Sequence, residues 1–184
     1  MQWRNTSERY GVGAQLLHWA LFALIVFQMV AVQFVDAFPR DSAGRAFMLA
    51  THETGGMLVL LLVCARLLWK IANEAPLEHG PPWQQWVARL THAGMYALII
   101  VIPAIGYVVA SARGQDPVLF GVGLPAAVRR DRALARTTRE LHETLSWVLV
   151  AIVAAHAAAA LWHHYVARDE VLRRMLPPRR QDPA

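Results

Sequence analysis

The chain has 184 residues, of which 56% are hydrophobic and 17% are charged, and its mean hydropathy is +0.31. A soluble domain carries about 25% charged residues, so this composition excludes an ordinary water-soluble globule and a disordered chain, while the single cysteine excludes a disulfide scaffold. The net charge of +5 comes from arginines that lie between apolar runs, which indicates lipid headgroups as the partner and argues against nucleic acid.

Long apolar runs organise the chain. No charged residue occurs in 10–35, 90–112 or 144–167, and these runs of 26, 23 and 24 residues exceed the roughly 20 residues that cross a bilayer core. In hydrocarbon every backbone polar group must bond within its own segment, so with one further apolar segment we predict four transmembrane helices, at about 13–35, 47–69, 90–112 and 141–167. The expected fold is all-α, an integral membrane four-helix bundle that forms a single domain over 1–184.

Individual segments carry distinguishing features. A signal peptide would have an apolar core of about 7–15 residues and a small-residue cleavage site. The first segment is longer and lacks Ala-x-Ala, so we expect a retained helix.

In the second segment, Glu53 and Arg66 lie near opposite ends, and we expect both side chains to reach the membrane interfaces. Pro103 with Gly106 predicts a kink in the third helix.

Two connections between the helices are informative. Residues 73–86 are rich in proline and glycine and predict a loop, in which His79 is expected to be solvated. The longest connection is 113–140. Its second half carries a basic stripe at helical spacing that leads into the fourth helix, formed by Arg129, Arg132, Arg136 and Arg139.

The lysines and arginines that flank the helices predict the orientation. Ten lie on the face that holds both termini: Arg4, Arg9, Arg66, Lys70, Arg89, Arg168, Arg173, Arg174, Arg179 and Arg180. Eight lie on the other face: Arg40, Arg45, Arg113, Arg129, Arg130, Arg132, Arg136 and Arg139. The difference favours both termini in the cytoplasm, although six of the eight outer arginines are concentrated in 113–140.

Four of the eight histidines share a geometric relation. His18 begins the first helix and His52 begins the second, so antiparallel packing places them near opposite membrane surfaces. His142 and His156 are 14 residues apart on the fourth helix, a separation of roughly 21 Å along the axis but only about 40° around it. The fourth helix therefore presents one histidine near each surface, on a single stripe.

Matching these depths produces two pairs. His52 faces His142 on the outer side, and His18 faces His156 on the inner side. An ionisable side chain at membrane depth is a functional hypothesis by default, and two facing pairs suit two haems b, each with an axial imidazole on both sides of the iron. Small residues beside the histidines would leave room for the porphyrins: Gly55, Gly56, Ala154, Ala155 and Ala157.

Two other interpretations of the histidines stay open. Each histidine could form an interhelical hydrogen bond without any cofactor. Imidazole also binds zinc and copper, as a metal transporter would require. Such a site favours ligands at one depth with carboxylates beside them, whereas these histidines form two levels and only Glu53 and Glu143 are near.

Three further histidines lie on the inner side. His163 follows His156 on the same stripe, about 10 Å closer to the inner surface, His164 is its neighbour, and His92 begins the third helix. We predict that a quinone headgroup binds there, with entry of protons from the same side. The alternative is that these histidines only contact lipid headgroups.

The histidines lie in extended sequence motifs. Gln15-Leu16-Leu17-His18-Trp19 opens the first helix, His52-Glu53-Thr54-Gly55-Gly56 the second and Leu141-His142-Glu143-Thr144-Leu145 the fourth. The stretch 156–165 and the ending Leu172-Arg173-Arg174-Met175-Leu176-Pro177 add to them. Together these motifs resemble the bacterial cytochrome b561 family, in the same order and over nearly the whole chain.

The resemblance implies a four-helix protein of the bacterial inner membrane that binds two b haems and exchanges electrons with ubiquinone. The best-defined activity in that family is superoxide oxidase, which takes an electron from superoxide on the periplasmic side and passes it to quinone. Other members are cytochrome subunits of hydrogenases or dehydrogenases. The family's quinone-linked histidines fall on His163 and His164, and its four haem ligands fall on His18, His52, His142 and His156.

The expected function is therefore a superoxide:ubiquinone oxidoreductase. The alternative is an electron-transfer cytochrome subunit or adaptor that relays electrons between quinone and a partner dehydrogenase or hydrogenase. Thr51, Thr54 and Ser146 are candidate hydrogen-bonding partners for the ligands, and no residue is assigned a catalytic role.

Residues 113–140 contain six arginines and three acidic residues, a net charge of +3 on the predicted outer face. A basic surface speeds the capture of a small anion such as superoxide, and salt weakens the effect. The candidate anion-steering residues are Arg129, Arg132, Arg136 and Arg139. The competing explanation is that this stripe lies on phospholipid headgroups.

Overall fold

The computed structural model describes residues 2–77 and 80–177. Four long helices dominate it: α1 (Val12–Gln33), α2 (Ala43–Ala72), α3 (Pro82–Ala112) and α4 (Arg132–Trp162). All four are long and apolar enough to cross a membrane. The predicted all-α membrane bundle is therefore confirmed. The predicted position of His79, and the inner-face positions of Arg179 and Arg180, lie outside the described residues.

Three of the helices begin well before the apolar runs that marked them in the sequence. The Ser42 hydroxyl accepts the Arg45 amide at 3.2 Å at the start of α2. Asp131 accepts the amides of Ala133 and Leu134 at the start of α4. These caps satisfy backbone donors that the first turn leaves without partners, so the helices continue through polar residues outside the hydrocarbon. The basic stripe is thus largely part of α4.

The connection from α3 to α4 contains a small hairpin that the sequence patterns did not predict. Strands β1 (Val118–Leu119) and β2 (Val122–Gly123) pair in antiparallel register. Phe120 and Gly121 both have positive φ at the turn, which suits a two-residue hairpin and is the reason a glycine is needed there.

The helices pack extensively only against their neighbours in chain order. Among the described residues, extensive packing runs from α1 to α2, from α2 to α3 and from α3 to α4, so α4 makes few close contacts with α1 or α2. A central core fills the middle of the bundle, formed by Leu21, Val59, Val63, Ile99, Ile102 and Leu149. Leu149 is the only buried residue that α4 contributes. Most large apolar side chains on the outer surfaces are exposed, as expected where a helix faces lipid.

The segment before α1 and the segment that follows α4 meet at one end of the bundle. Arg9 donates to the carbonyls of Arg173 and Leu176, and the Trp19 indole donates to the Met175 carbonyl at 2.9 Å. Beyond α4, His163–Ala167 forms a single π-helical turn, and Arg168 ends it in the left-handed conformation, with φ of 56°. This end, where α1 begins and α4 finishes, is the inner end in the predicted orientation.

Candidate cofactor sites

The four histidines that share a stripe relation in the sequence form two facing pairs. His18 on α1 and His156 on α4 have ring centroids 6.5 Å apart, with ring planes inclined by 69°. His52 on α2 and His142 on α4 have centroids 6.2 Å apart, with planes inclined by 84°. Each pair joins α4 to a helix with which it makes few close contacts.

The spacing within each pair suits a shared iron. A bond from metal to imidazole nitrogen is about 2 Å, so two imidazoles on opposite sides of one iron have centroids about 6 Å apart. Both pairs have this separation. The donor set and the few close contacts that α4 makes with α1 and α2 therefore fit two haems, each held by two imidazoles.

His142 is oriented by α3. Its Nδ1 lies 3.0 Å from the Ile102 carbonyl oxygen, which leaves Nε2 as the nitrogen available to a metal. Gly106 allows the ring to approach, because a Cβ there would lie 3.1 Å from His142 Cε1. Ser146 donates to the His142 carbonyl at 2.7 Å. The part of α3 in which Pro103 and Gly106 predicted a kink therefore lies beside the candidate ligand His142.

His52 has a neighbour that the sequence reasoning missed. The Gln28 amide on α1 donates to the His52 carbonyl at 2.7 Å and lies 3.4 Å from His52 Nδ1. Gln28 can occupy this place because Gly55 has no side chain; a Cβ there would overlap the Gln28 amide. A buried glutamine in the middle of an apolar helix is the signal that could have found it.

The residues that follow His52 attach the outer hairpin to α2. The Glu53 carboxylate accepts the Val118 amide at 3.0 Å, and Thr54 donates to the Val118 carbonyl while accepting the Phe120 amide. Thr51 donates instead to the Phe47 carbonyl, so of the two threonines only Thr54 serves this junction. The hairpin therefore covers the bundle end beside the His52–His142 pair.

The basic stripe at the outer end carries ion pairs of its own. Arg136 contacts Glu140 at 3.1 Å and Arg139 contacts Glu143 at 2.6 Å, both between exposed side chains one turn apart. Arg129 lines a cavity of about 410 Å³ outside the bundle. Burial, followed by repulsion from Arg139, lowers the pKa of the nearby Arg113 guanidinium. The glutamates reduce the positive charge that the arginines present.

The three further histidines that the sequence placed on the inner side, His92, His163 and His164, lie in two separate places. His92 lies beside His156, with ring centroids 5.4 Å apart, so it belongs to the level of the inner pair. His163 and His164 lie further along, in the π-helical turn. Because His92 is close to His156, it is a second candidate to share a metal with that histidine, beside His18.

The inner end of α4 contains an acid–histidine pair and a cavity. His163 Nδ1 lies 2.5 Å from Asp169 Oδ2. Burial alone would raise the pKa of Asp169, but hydrogen bonds from His163 and the Val171 amide outweigh it and lower that pKa. His164 lines a cavity of about 360 Å³ together with Tyr165, Arg168, Asp169 and Arg173, and its buried Nδ1 has no hydrogen-bond partner.

Within residues 2–77 and 80–177, no group of three or more histidine, cysteine, aspartate or glutamate side chains is arranged to hold a metal ion directly.

Comparison with known proteins identifies the family of the chain. Residues 9–178 match the family model described as prokaryotic cytochrome b561. The chain is 30% identical to cytochrome b561 homolog 1 of Escherichia coli K12, over 89% of this chain and 94% of that protein. It is 31% identical to cytochrome b561 homolog 2 of the same organism, over 96% and 95%.

A third relative carries a more specific name. The chain is 29% identical to the probable superoxide oxidase CybB of Yersinia pestis, over 89% of this chain and 93% of that protein. The family match covers nearly all of the chain, and the relatives match it over almost their full length. The chain belongs to the prokaryotic cytochrome b561 family of membrane electron-transfer proteins that bind haem b.

Proposed function

We propose that this protein is a di-haem b oxidoreductase that oxidises superoxide at the outer membrane face and reduces ubiquinone at the other. Two superoxide anions would lose one electron each and leave as dioxygen, and one quinone would take up both electrons and two protons. The observation that carries the proposal is the arrangement of four histidines as two facing pairs at two depths.

In this proposal His52 and His142 hold the outer haem, and His18 and His156 hold the inner one. When bound, the two haems would supply one-electron carriers in series across the membrane. The chain keeps the outer ligands in position through the Ile102 carbonyl, which fixes the ring of His142, and through Gln28, which holds the backbone of His52.

The inner end offers groups suited to a quinone. The cavity beside His164 is of the size that binds small molecules, about 300–1,000 Å³, and the His163–Asp169 pair could pass protons from the aqueous side. Among the quinone candidates, His163 and His164 therefore have more support than His92, which lies against His156.

We further propose that the protein resides in the bacterial inner membrane with both termini in the cytoplasm. The support is the excess of lysine and arginine at the end where the termini lie. In this orientation the hairpin and the basic stripe face the periplasm, and the His164 cavity faces the cytoplasm.

The name of the Yersinia pestis relative supports superoxide as the substrate. The test is to add superoxide to the purified holoprotein with ubiquinone and to follow haem reduction and quinol formation. We expect both to be faster than spontaneous dismutation. Haem reduction no faster than dismutation would reject the proposed activity, and reduction only with a partner dehydrogenase would establish the electron-relay alternative instead.

Neutralising the basic stripe is expected to slow the reaction with superoxide. In a variant carrying Arg129→Gln, Arg132→Gln, Arg136→Gln and Arg139→Gln, we expect the second-order rate constant for haem reduction to fall about tenfold at low salt. The rate of the variant should also depend less on ionic strength, because salt screens the attraction that the arginines supply. Stopped-flow spectroscopy at several salt concentrations measures both quantities.

Arg89→Gln, on the opposite side of the membrane, is the matched control and should leave that rate unchanged. An unchanged rate in the quadruple variant, with intact haem content, would show that the stripe contacts lipid headgroups and does not steer the substrate.

A further inference from the structure

Arg66 lies on α2, where its side chain is half-buried and its Nη1 is fully buried. It follows His52 by 14 residues on α2 and so lies about 40° from it around the axis, one level further in. Its Nε donates to the hydroxyl of Tyr96, which lies one turn from His92 on α3, and the His92 ring centroid is 5.4 Å from that of His156. Arg66 is therefore part of the surroundings of the inner histidine pair.

The hydrogen bonding of Arg66 is incomplete. Nε donates to the Tyr96 hydroxyl at 3.0 Å, but Nη1 is buried without a partner. Among the ion pairs formed by the described residues, none includes Arg66. A buried cation is costly unless an anion or several acceptors satisfy it, and one neutral hydroxyl satisfies only one of the five donors of a guanidinium.

A second unsatisfied donor lies one turn further along the same helix. Trp69 follows Arg66 by three residues, which places both on neighbouring positions of one helix face, and its Nε1 is also buried without a partner. The indole packs against Gly13 at the start of α1, where any Cβ would overlap it. The position of the Trp69 donor is thus fixed by the junction between α1 and α2.

These two donors define the chemistry of the group that would satisfy them. One donor is cationic, the other is neutral, and both need an acceptor. A carboxylate is acceptor-only and matches the planar fork of a guanidinium. Within the membrane-spanning part of α2 the only acidic residue is Glu53, which lies near the outer end and accepts the Val118 amide.

We propose that Arg66 and Trp69 bind the propionate carboxylates of the haem held between His18 and His156. This inference rests on the proposed function, since it requires a haem at that pair. Haem b carries two propionates on one edge of the ring, and each is an anion that needs a donor at membrane depth. Arg66 neutralises one negative charge, and the Trp69 indole supplies a further hydrogen bond.

The competing explanation is that Arg66 only links α2 to α3 through Tyr96. Lys70 provides a matched control, because it carries the same charge one turn away on α2. Its Nζ lies 5.4 Å from the centroid of the Tyr96 ring, and its side chain is exposed. Neutralising Lys70 therefore removes an equal charge from the same region without removing a buried donor.

The experiment uses the full-length holoprotein in detergent or nanodiscs, with the variants Arg66→Gln, Arg66→Lys, Lys70→Gln and Tyr96→Phe. Redox titration resolves the two haems, and the inner haem is identified as the one that His18→Ala removes. We expect Arg66→Gln to shift the midpoint potential of the inner haem to a more negative value, because loss of a nearby cation stabilises the ferric form. The outer haem should be unaffected.

Two further readouts report on the carboxylates themselves. Transfer of haem to excess apomyoglobin should become several-fold faster for the inner haem in Arg66→Gln. Infrared difference spectra recorded with haem labelled with ¹³C in its propionate carboxyl groups should show a shifted carboxylate band in that variant. Arg66→Lys should restore part of the potential, and Lys70→Gln and Tyr96→Phe should resemble the wild type.

An unchanged potential and an unchanged carboxylate band in Arg66→Gln would overturn the inference. So would a Tyr96→Phe variant that reproduces the Arg66→Gln effects, since the role of Arg66 would then be to link two helices. Failure of the proposed activity is seen separately, as haem reduction by superoxide no faster than dismutation. Failure of the His18–His156 pair as a haem site would appear as a His18→Ala variant that retains both haems in otherwise native protein. These failures are therefore separable.

Discussion

Replacing His18 with alanine is expected to reduce the haem b content from about two per chain to about one. The reason is that the inner haem would lose one of its two axial imidazoles, and with no covalent attachment the remaining ligand and packing hold it weakly. His52→Ala should remove the outer haem in the same way. Pyridine haemochrome analysis against protein concentration measures the loss, and each variant should lack a different component of the absorption band.

His92→Ala is the matched control for His18→Ala. The His92 ring centroid lies 5.4 Å from that of His156, which is closer than the His18 ring centroid at 6.5 Å. We expect His92→Ala to retain both haems. The opposite result, in which His92→Ala loses a haem and His18→Ala keeps it, would transfer the inner site from the α1–α4 pair to the α3–α4 pair.

A leucine at Gly56 is expected to exclude the outer haem. Gly56 follows His52 by four residues and so lies on the same face of α2. A Cβ built there meets no atom within 4 Å, although Gly55 beside it packs tightly against Gln28. In our account this open space adjoins the porphyrin, so the Gly56→Leu side chain would occupy it. We expect about one haem per chain, with the inner haem retained.

Cys64→Leu provides the comparison for this variant. Cys64 lies on the same helix at an exposed position, so the new side chain would extend into lipid. It should retain both haems. Full haem content and an unaltered spectrum in Gly56→Leu would show that the space beside Gly56 is occupied by lipid and that the outer haem lies elsewhere.

The sequence was most informative where periodicity decides the outcome. Apolar runs longer than the bilayer core leave helix as the only spanning structure, so the four-helix bundle followed directly. The spacing of His142 and His156 on one helix placed two histidines on one stripe, because helical geometry is the same in any context. The structure brings each of them within 6.5 Å, between ring centroids, of the histidine expected from its depth.

Other features depend on contacts between distant segments and could not be predicted from local patterns. Gln28 reaches His52 only because Gly55 leaves space on the neighbouring helix. The hairpin at 118–123 is held by Glu53 and Thr54, more than sixty residues earlier in the chain. Arg66 donates to Tyr96 on α3 and buries its Nη1, and the charge pattern alone could not indicate these contacts.

The helix ends show a related limit. Apolar runs mark the part of a helix that lies in hydrocarbon and carry no information on how far it extends into water. Asp131 begins α4 well before its apolar run, so the basic stripe that the sequence placed ahead of the fourth helix lies on α4 itself from Arg132 onward. Asp131 can be recognised in the sequence as an N-cap only once the start of the following helix is known.

The most direct test of the central claim is to locate the iron atoms by anomalous diffraction from crystals of the purified holoprotein. Our account predicts two iron peaks in each chain, one between His18 and His156 and the other between His52 and His142. A single iron, or an iron coordinated by only one of these histidines, would contradict it.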